Sequence, residues 1–315
     1  MEPGSASVIF NLRLLANVIS PNVQLTKLFT GWQTDPLSLL VLAGAICLAG
    51  AYLIGVRRLA AKNRRWSPWK TASFLGGALV VVVAVDSGVA GYSNSVFYVH
   101  AVQHVMLMNG APVLFALGAP MTLWLQASSR SLQTFLVRIL HSKIFEAATF
   151  PVTVAILSYV LMLTYFLSGF YTFSEEHPLV LGISNVVFLV SGCLYWWPVV
   201  GLDPSRWKLS FPAKLGYLAT GIPVTTFLGL GLVSARYSID PAIHTLADTH
   251  AGGGALWVLS ELYTLGAMGA VLLQLMHSEQ RADARYDRKM MHEEANLERE
   301  AELENERASR GSAST

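Results

Sequence analysis

The sequence predicts an all-α membrane protein: a bundle of seven transmembrane helices, N-terminus outside and C-terminus cytoplasmic, with a charged C-terminal helical tail. Three observations predict it. The 315 residues are 53% hydrophobic and only 13% charged, where soluble domains carry about a quarter charged residues. Seventeen of the 42 charges follow position 277, so the body before it holds 25. A chain that apolar cannot cover itself with polar surface, and its solvent is mostly lipid. Apolar runs of spanning length recur seven times, and the basic residues lie on one side of them.

The segments follow in order. Residues 1–35 form an extracytoplasmic segment in which Val8 to Ile19, interrupted by Asn11, Arg13 and Asn17, reads as a helix lying on the membrane surface. The predicted spans are about 36–56, 72–91, 96–125, 149–169, 178–200, 212–235 and 252–277, each near the roughly 20 residues a crossing needs. The third run is long and contains Pro112 and Pro120, so it is expected to kink within a single crossing. The transmembrane domain is thus 36–277 and the cytoplasmic tail 278–315. Nineteen of the 22 Lys and Arg residues fall in alternate loops and the tail, which sets the orientation by the positive-inside rule. Cys47 and Cys193 form no CxxC pair and read as small buried hydrophobes. No nucleic-acid-binding signature is present.

That orientation gathers polar chemistry at the outer side. His100 and His104 lie at the outer end of span three, His177 at the outer entrance of span five, and His244 and His250 in the loop leading to span seven. Asp86 is expected about five residues below the outer end of span two, and Asp248 joins the loop histidines. Residues four apart on a helix project from one face. His100, His104 and Met108 therefore form a ladder, with Gln103 beside it. Two imidazoles at i and i+4 can hold one metal ion, and thioethers favour a soft one, Cu(I). The ladder lacks the Glu of the zinc-protease motif. Satisfied core residues are the alternative reading for each histidine or methionine taken singly. Glu261, deep in span seven, should face the bundle interior as a proton-relay or structural group. Trp196 and Trp197 suit an interfacial belt, and Asp203-Pro204 a turn or helix start.

The stretch His100 to Pro120, HAVQHVMLMNGAPVLFALGAP, resembles the signature of the CtaG family of bacterial cytochrome c oxidase assembly factors. His177-Pro178, the stretch Trp197-Pro198 to Asp203-Pro204, and Asp248-Thr249-His250-Ala251-Gly252-Gly253 leading to Trp257 agree in order. The resemblance covers about residues 35–277. The chain departs from the family pattern at Ala101, Val105, Val113 and Thr249, which leaves both histidines and Met108 in place. The resemblance implies a seven-helix protein of the bacterial inner (plasma) membrane that helps mature a haem-copper oxidase. It implies transiently bound copper, delivered from the outer face. By analogy His100 and His104 would be ligands, with Met108 and His177 or His250 supplementary. Asp86, Gln103, His244, Asp248 and Glu261 would be supporting polar groups. The partners implied are cytochrome c oxidase subunits, other copper chaperones and the lipid bilayer.

Two other classes remain open on sequence. A haem b or electron-transfer protein would need axial histidines from opposite sides of the ring; His100 and His104 share a face, although either could pair with His177 or His250. A proton-coupled or copper transporter would use Asp86 and Glu261, but no inverted repeat is apparent. No nucleophile–base constellation stands out, so the chain is not expected to be an enzyme.

Overall fold

The computed structural model describes the chain from residue 31 to residue 312, with the side chains at 281–287, 294–295, 297–298 and 300–312 outside the description. The surface helix expected at Val8 to Ile19 lies outside the described residues. Among the described residues helix is the only regular structure. The order is α1 (Pro36–Ala61), α2 (Pro68–Asp86), α3 (Gly88–Ser93), α4 (Phe97–Val105), a π-helical turn (Met106–Gly110), α5 (Ala111–Gly118), α6 (Pro120–Ala127), α7 (Arg130–Leu140), α8 (Lys143–Ala148), α9 (Pro151–Leu167), α10 (Phe170–Glu176), α11 (Pro178–Val200), α12 (Phe211–Ala219), α13 (Gly221–Val233) and α14 (Leu246–Ser312).

Six helical stretches are long and apolar enough to cross a membrane: Pro36–Ala61, Pro68–Asp86, Phe97–Ala127, Pro178–Val200, Phe211–Val233 and Leu246–Gln280. A seventh candidate is the pair α9 and α10, bent by 73°, when the two are taken as one broken span. Leucine, isoleucine and valine side chains such as Leu40, Ile46, Leu157, Leu179 and Ile183 stand exposed on these helices, as a lipid solvent requires. Cys47 shares that exposed face of α1, whereas Cys193 is partly buried. The expectation of burial thus fails for Cys47, because α1 turns most of its surface outward. The chain divides into two compact units, Met1–Gly266 and Ala267–Thr315. The first holds the bundle. In the second the helix of α14 continues to Ser312, with Met290 and Met291 exposed.

Proline starts many of these helices: Pro36, Pro68, Pro120, Pro151 and Pro178 each occupy the first helical position, where the missing N–H costs no hydrogen bond. Asp86 ends α2 directly, since extended Ser87 interrupts the helix and caps α3 by accepting from Val89 N. The sequence had placed Asp86 inside the span; the serine-capped break explains the difference.

Span three is where the backbone is most interrupted. Pro112 has no N–H to give to the Met108 carbonyl, and the helix widens into the π turn just before it. At Ala119 the backbone enters the left-handed region (φ +49°), which costs a residue with a Cβ roughly 1–2 kcal/mol. The loose ends at the corner and at the start of the span find partners from elsewhere in the chain. The Gly118 carbonyl accepts from Tyr52 Oη at 2.7 Å, and Tyr52 is held in turn by Trp66 Nε1 at 2.9 Å. Met121 N and Thr122 N, at the new helix start, donate to the Asp203 carboxylate at 3.2 and 2.7 Å. At the other end of the span, Phe97 N and Tyr98 N donate to the Asp248 carboxylate at 2.6 and 3.0 Å. Both aspartates thus cap a helix remote in sequence, the role a local N-cap residue normally fills. Burial pushes the Asp203 carboxyl above its usual value, against the pull of these hydrogen bonds.

Trp196 is 2% exposed and donates to Asn109 Oδ1 at 3.2 Å. It therefore ties α11 to the π turn instead of standing in an interfacial belt. Glycine at 192 is needed there, because a Cβ would lie 2.3 Å from the Met108 carbonyl oxygen.

Removing the cap at position 203 should be felt. Asp203→Ala leaves two helix-start N–H groups without their acceptor and is expected to cost about 1–2 kcal/mol. The midpoint of thermal unfolding in detergent should fall for Asp203→Ala and fall less for Asp203→Asn, which keeps an acceptor oxygen.

Candidate functional site

His100 and His104 stand one turn apart on α4, between the Asp248 cap and the π turn. Their Nε2 atoms face each other at 2.8 Å, and the ring centroids are 4.5 Å apart. The two residues are 0% and 3% exposed. Tyr165 and Phe166 from α9, Tyr171 from α10 and Phe188 from α11 enclose them. Tyr165 Oη lies 3.4 Å from His100 Nε2 and 2.9 Å from Ser174 Oγ.

The bend between α9 and α10 brings Glu175 back onto this pair. Its Oε1 lies 3.2 Å from His100 Nδ1, within ion-pair reach though off the line of a hydrogen bond. A carboxylate at that nitrogen favours a proton on Nδ1 of His100. His100 Nε2 is then an acceptor, and His104 Nε2 is the donor that fills it. His104 Nδ1 has no hydrogen-bond partner among the described residues. On the next flank, Tyr171 Oη bonds His244 Nε2 at 2.7 Å, while His244 Nδ1 lies 3.3 Å from Asp248 Oδ2. The Tyr171 ring meets His100 edge-on at 4.8 Å.

Met108 lies within the π turn, where the backbone departs from the α-helical spacing that the straight ladder assumes. Met108 nevertheless remains beside His104: the two line a void of about 10 Å³ together with Met162, Phe166 and Phe188. That is room for about one small atom. Among the described residues no three His, Cys, Asp or Glu side chains converge as a metal-binding group. The donors gathered here are two imidazoles, with two thioethers next to the second.

The other residues singled out from sequence lie apart. His177 is exposed, with Nδ1 bonded to Phe173 O at 2.8 Å and its ring against Phe173. His250 Nε2 bonds Ala235 O at 3.0 Å. Gln103 faces a different side of the span, giving Nε2 to Ala84 O at 2.9 Å. Both carboxylate oxygens of buried Asp86 lack hydrogen-bond partners among the described residues. Glu261 accepts from Thr225 Oγ1 at 2.6 Å, the interior pairing expected of it. Sequence reasoning missed Glu175, Tyr165, Tyr171, Ser174 and Met162. Glu175 did carry a signal, as half of an acidic pair directly before His177-Pro178.

A multi-pass helical bundle with a sealed imidazole pair on a broken central span is the class of protein that fold and site define. The chain belongs to the cytochrome c oxidase caa3 assembly factor (CtaG) family, which matches residues 50–278. It is also similar to uncharacterized proteins of Mycobacterium bovis and Mycobacterium tuberculosis, each 28% identical over 285 residues, covering 84% of this chain and 42% of theirs. An uncharacterized protein of Mycobacterium leprae is 27% identical over 289 residues, covering 85% of this chain and 42% of its own. The chain spans about two fifths of the length of these curated relatives. No solved structure matches it.

The contact with Glu175 predicts a defined tautomer for His100. In ¹⁵N-histidine-labelled protein, the His100 Nδ1 resonance should be that of a protonated ring nitrogen. Glu175→Leu should move it toward the unprotonated position, while Glu175→Gln, which keeps a polar oxygen near Nδ1, should move it less.

Proposed function

We propose that this chain assists assembly of a haem-copper cytochrome c oxidase by holding copper transiently at His100 and His104 and passing it to an oxidase subunit, without itself catalysing a reaction. One observation carries the reading: two imidazole Nε2 atoms 2.8 Å apart and shielded from solvent, with thioethers beside them. Imidazole with thioether is a donor set suited to Cu(I). An ion seated there takes the place of the proton the two nitrogens share. The proton of His104 would then pass to its Nδ1, which has no competing hydrogen bond among the described residues. Two nitrogens and neighbouring sulfurs make an open ligand set, from which an ion leaves more easily than from a closed cage.

Membership of the caa3 assembly factor family supports the oxidase as the destination. Orientation in the bacterial plasma membrane follows from charge. The loops holding Arg57 to Lys70, Arg130 to Lys143 and Arg206 to Lys208 belong to the cytoplasmic side by the positive-inside rule, so the imidazole pair lies toward the outside. Haem binding fits less well. Both histidines come from one helix face and point at one another, and the void beside His104 is about 10 Å³.

Copper titration tests the reading. Detergent-purified protein loaded with Cu(I) should retain about one ion per chain against a competing chelator. His100→Ala and His104→Ala should each lose it, and Met108→Leu and Met162→Leu should weaken retention by about tenfold, 1.4 kcal/mol. Equal copper in the parent and both histidine variants would remove the pair from any role in metal handling.

A further inference from the structure

A second site lies on another face of span three. A cavity of about 470 Å³ opens between α1, α2, span three and α11, within the range of small-molecule sites. Its walls are mostly apolar, among them Val41, Leu107 and Leu189. The lining follows α1 from Leu37 to Leu48, about 16 Å of helix, so the space is elongated along the bundle.

Four side-chain amides interrupt the apolar wall, Gln33, Asn94, Gln103 and Asn185, and two of them are buried. Gln103 is 3% exposed and Asn185 8% exposed, and both line the cavity. Gln103 is oriented by its bond from Nε2 to Ala84 O, which leaves Oε1 as an acceptor. Gln103 Oε1 and Asn185 Oδ1 both lack hydrogen-bond partners among the described residues. A buried acceptor left unmatched costs about 1–3 kcal/mol, and a lipid solvent offers no water to relieve it. Two unmatched acceptors at a long apolar slot call for a ligand that brings a hydrogen-bond donor on a hydrocarbon chain. Anions are disfavoured, since Asp35 also lines the cavity.

We propose that this cavity binds an uncharged amphiphile, a single hydrocarbon chain whose hydroxyl head donates its one O–H to Gln103 Oε1 or Asn185 Oδ1. A lipid-derived alcohol and an isoprenoid alcohol share that chemistry. The site is independent of copper and of the imidazole pair.

Native mass spectrometry of the full-length protein in detergent tests it with three probes: oleyl alcohol, geranylgeraniol and oleyl methyl ether. The ether has the same chain as the first alcohol but no donor. Alcohol should bind one per chain, at least about tenfold more tightly than the ether. The preferred alcohol identifies the straight or the branched chain as the natural source. Gly44→Phe should abolish binding of both alcohols, since Gly44 lines the cavity and a side chain added there meets open space. The double variant Gln103→Leu/Asn185→Leu should erase the difference between alcohol and ether while leaving chain binding in place. Equal binding of oleyl alcohol and its ether to the parent, a comparison that depends on no variant, overturns the proposal. So does unchanged binding in a Gly44→Phe protein with the parent's thermal midpoint. Alcohol binding that arises only after removal of residues 2–28 overturns it too, and assigns the cavity to the chain's own N-terminal segment.

Discussion

A backbone break inside a membrane has no water to turn to, and the third span of this protein contains several. Its start, its π turn and its left-handed corner at Ala119 each release N–H or C=O groups that an uninterrupted helix would satisfy internally. The repairs come from afar: Asp248 for the start, and Tyr52 and Asp203 for the corner, while α11 packs closely on the π turn at Gly192 and donates from Trp196 to Asn109. A span repaired from so many directions cannot slide or rotate without exposing unpaired groups. His100 and His104, which lie between the first repair and the second, take their position from that constraint.

The same span separates two kinds of chemistry by face. Toward α9 and α10 it presents imidazoles wrapped in aromatic rings, whose Nε2 atoms bond each other while Glu175 faces His100 Nδ1. Toward α1 and α2 it presents Gln103, whose oxygen faces a large apolar space with nothing to match it. Gln103 stands about 60° around the helix from His100 and about 100° from His104, on the flank away from the pair's second imidazole. This explains why Gln103, which the spacing placed beside the ladder, serves a separate compartment.

Much of this was legible in the sequence, for physical reasons that can be stated. Span positions follow from the length of apolar runs, and the histidine pair follows from a spacing of four within α4, which contains no break. Legibility ended where the helix did. The π turn took Met108 out of α-helical spacing, the Ser87 cap put Asp86 at a helix end, and Trp196 turned inward to bond Asn109. Glu175 was hidden for a related reason. Its contact with His100 exists because α10 folds back by 73° after Gly169, which adopts φ +74°, and the angle of such a fold cannot be read from hydropathy. His177 and His250 invited inclusion through their residue type, but each bonds a backbone carbonyl of its own neighbourhood.

Control of the imidazole pair rests mainly with segments at the ends of the helices. Glu175 belongs to the short α10, His244 to the connection before α14, and Asp248 to the first turn of α14. Asp248 has two tasks, since it caps α4 and faces His244, which holds Tyr171 against His100. A change at this carboxylate would therefore disturb both the seat of the pair and its aromatic enclosure, although it touches neither ring. The bundle supplies the rigid post on which the two nitrogens stand. The polar groups that face the two rings come from short connecting pieces, so the surroundings of the pair can change there without repacking the lipid-facing helices.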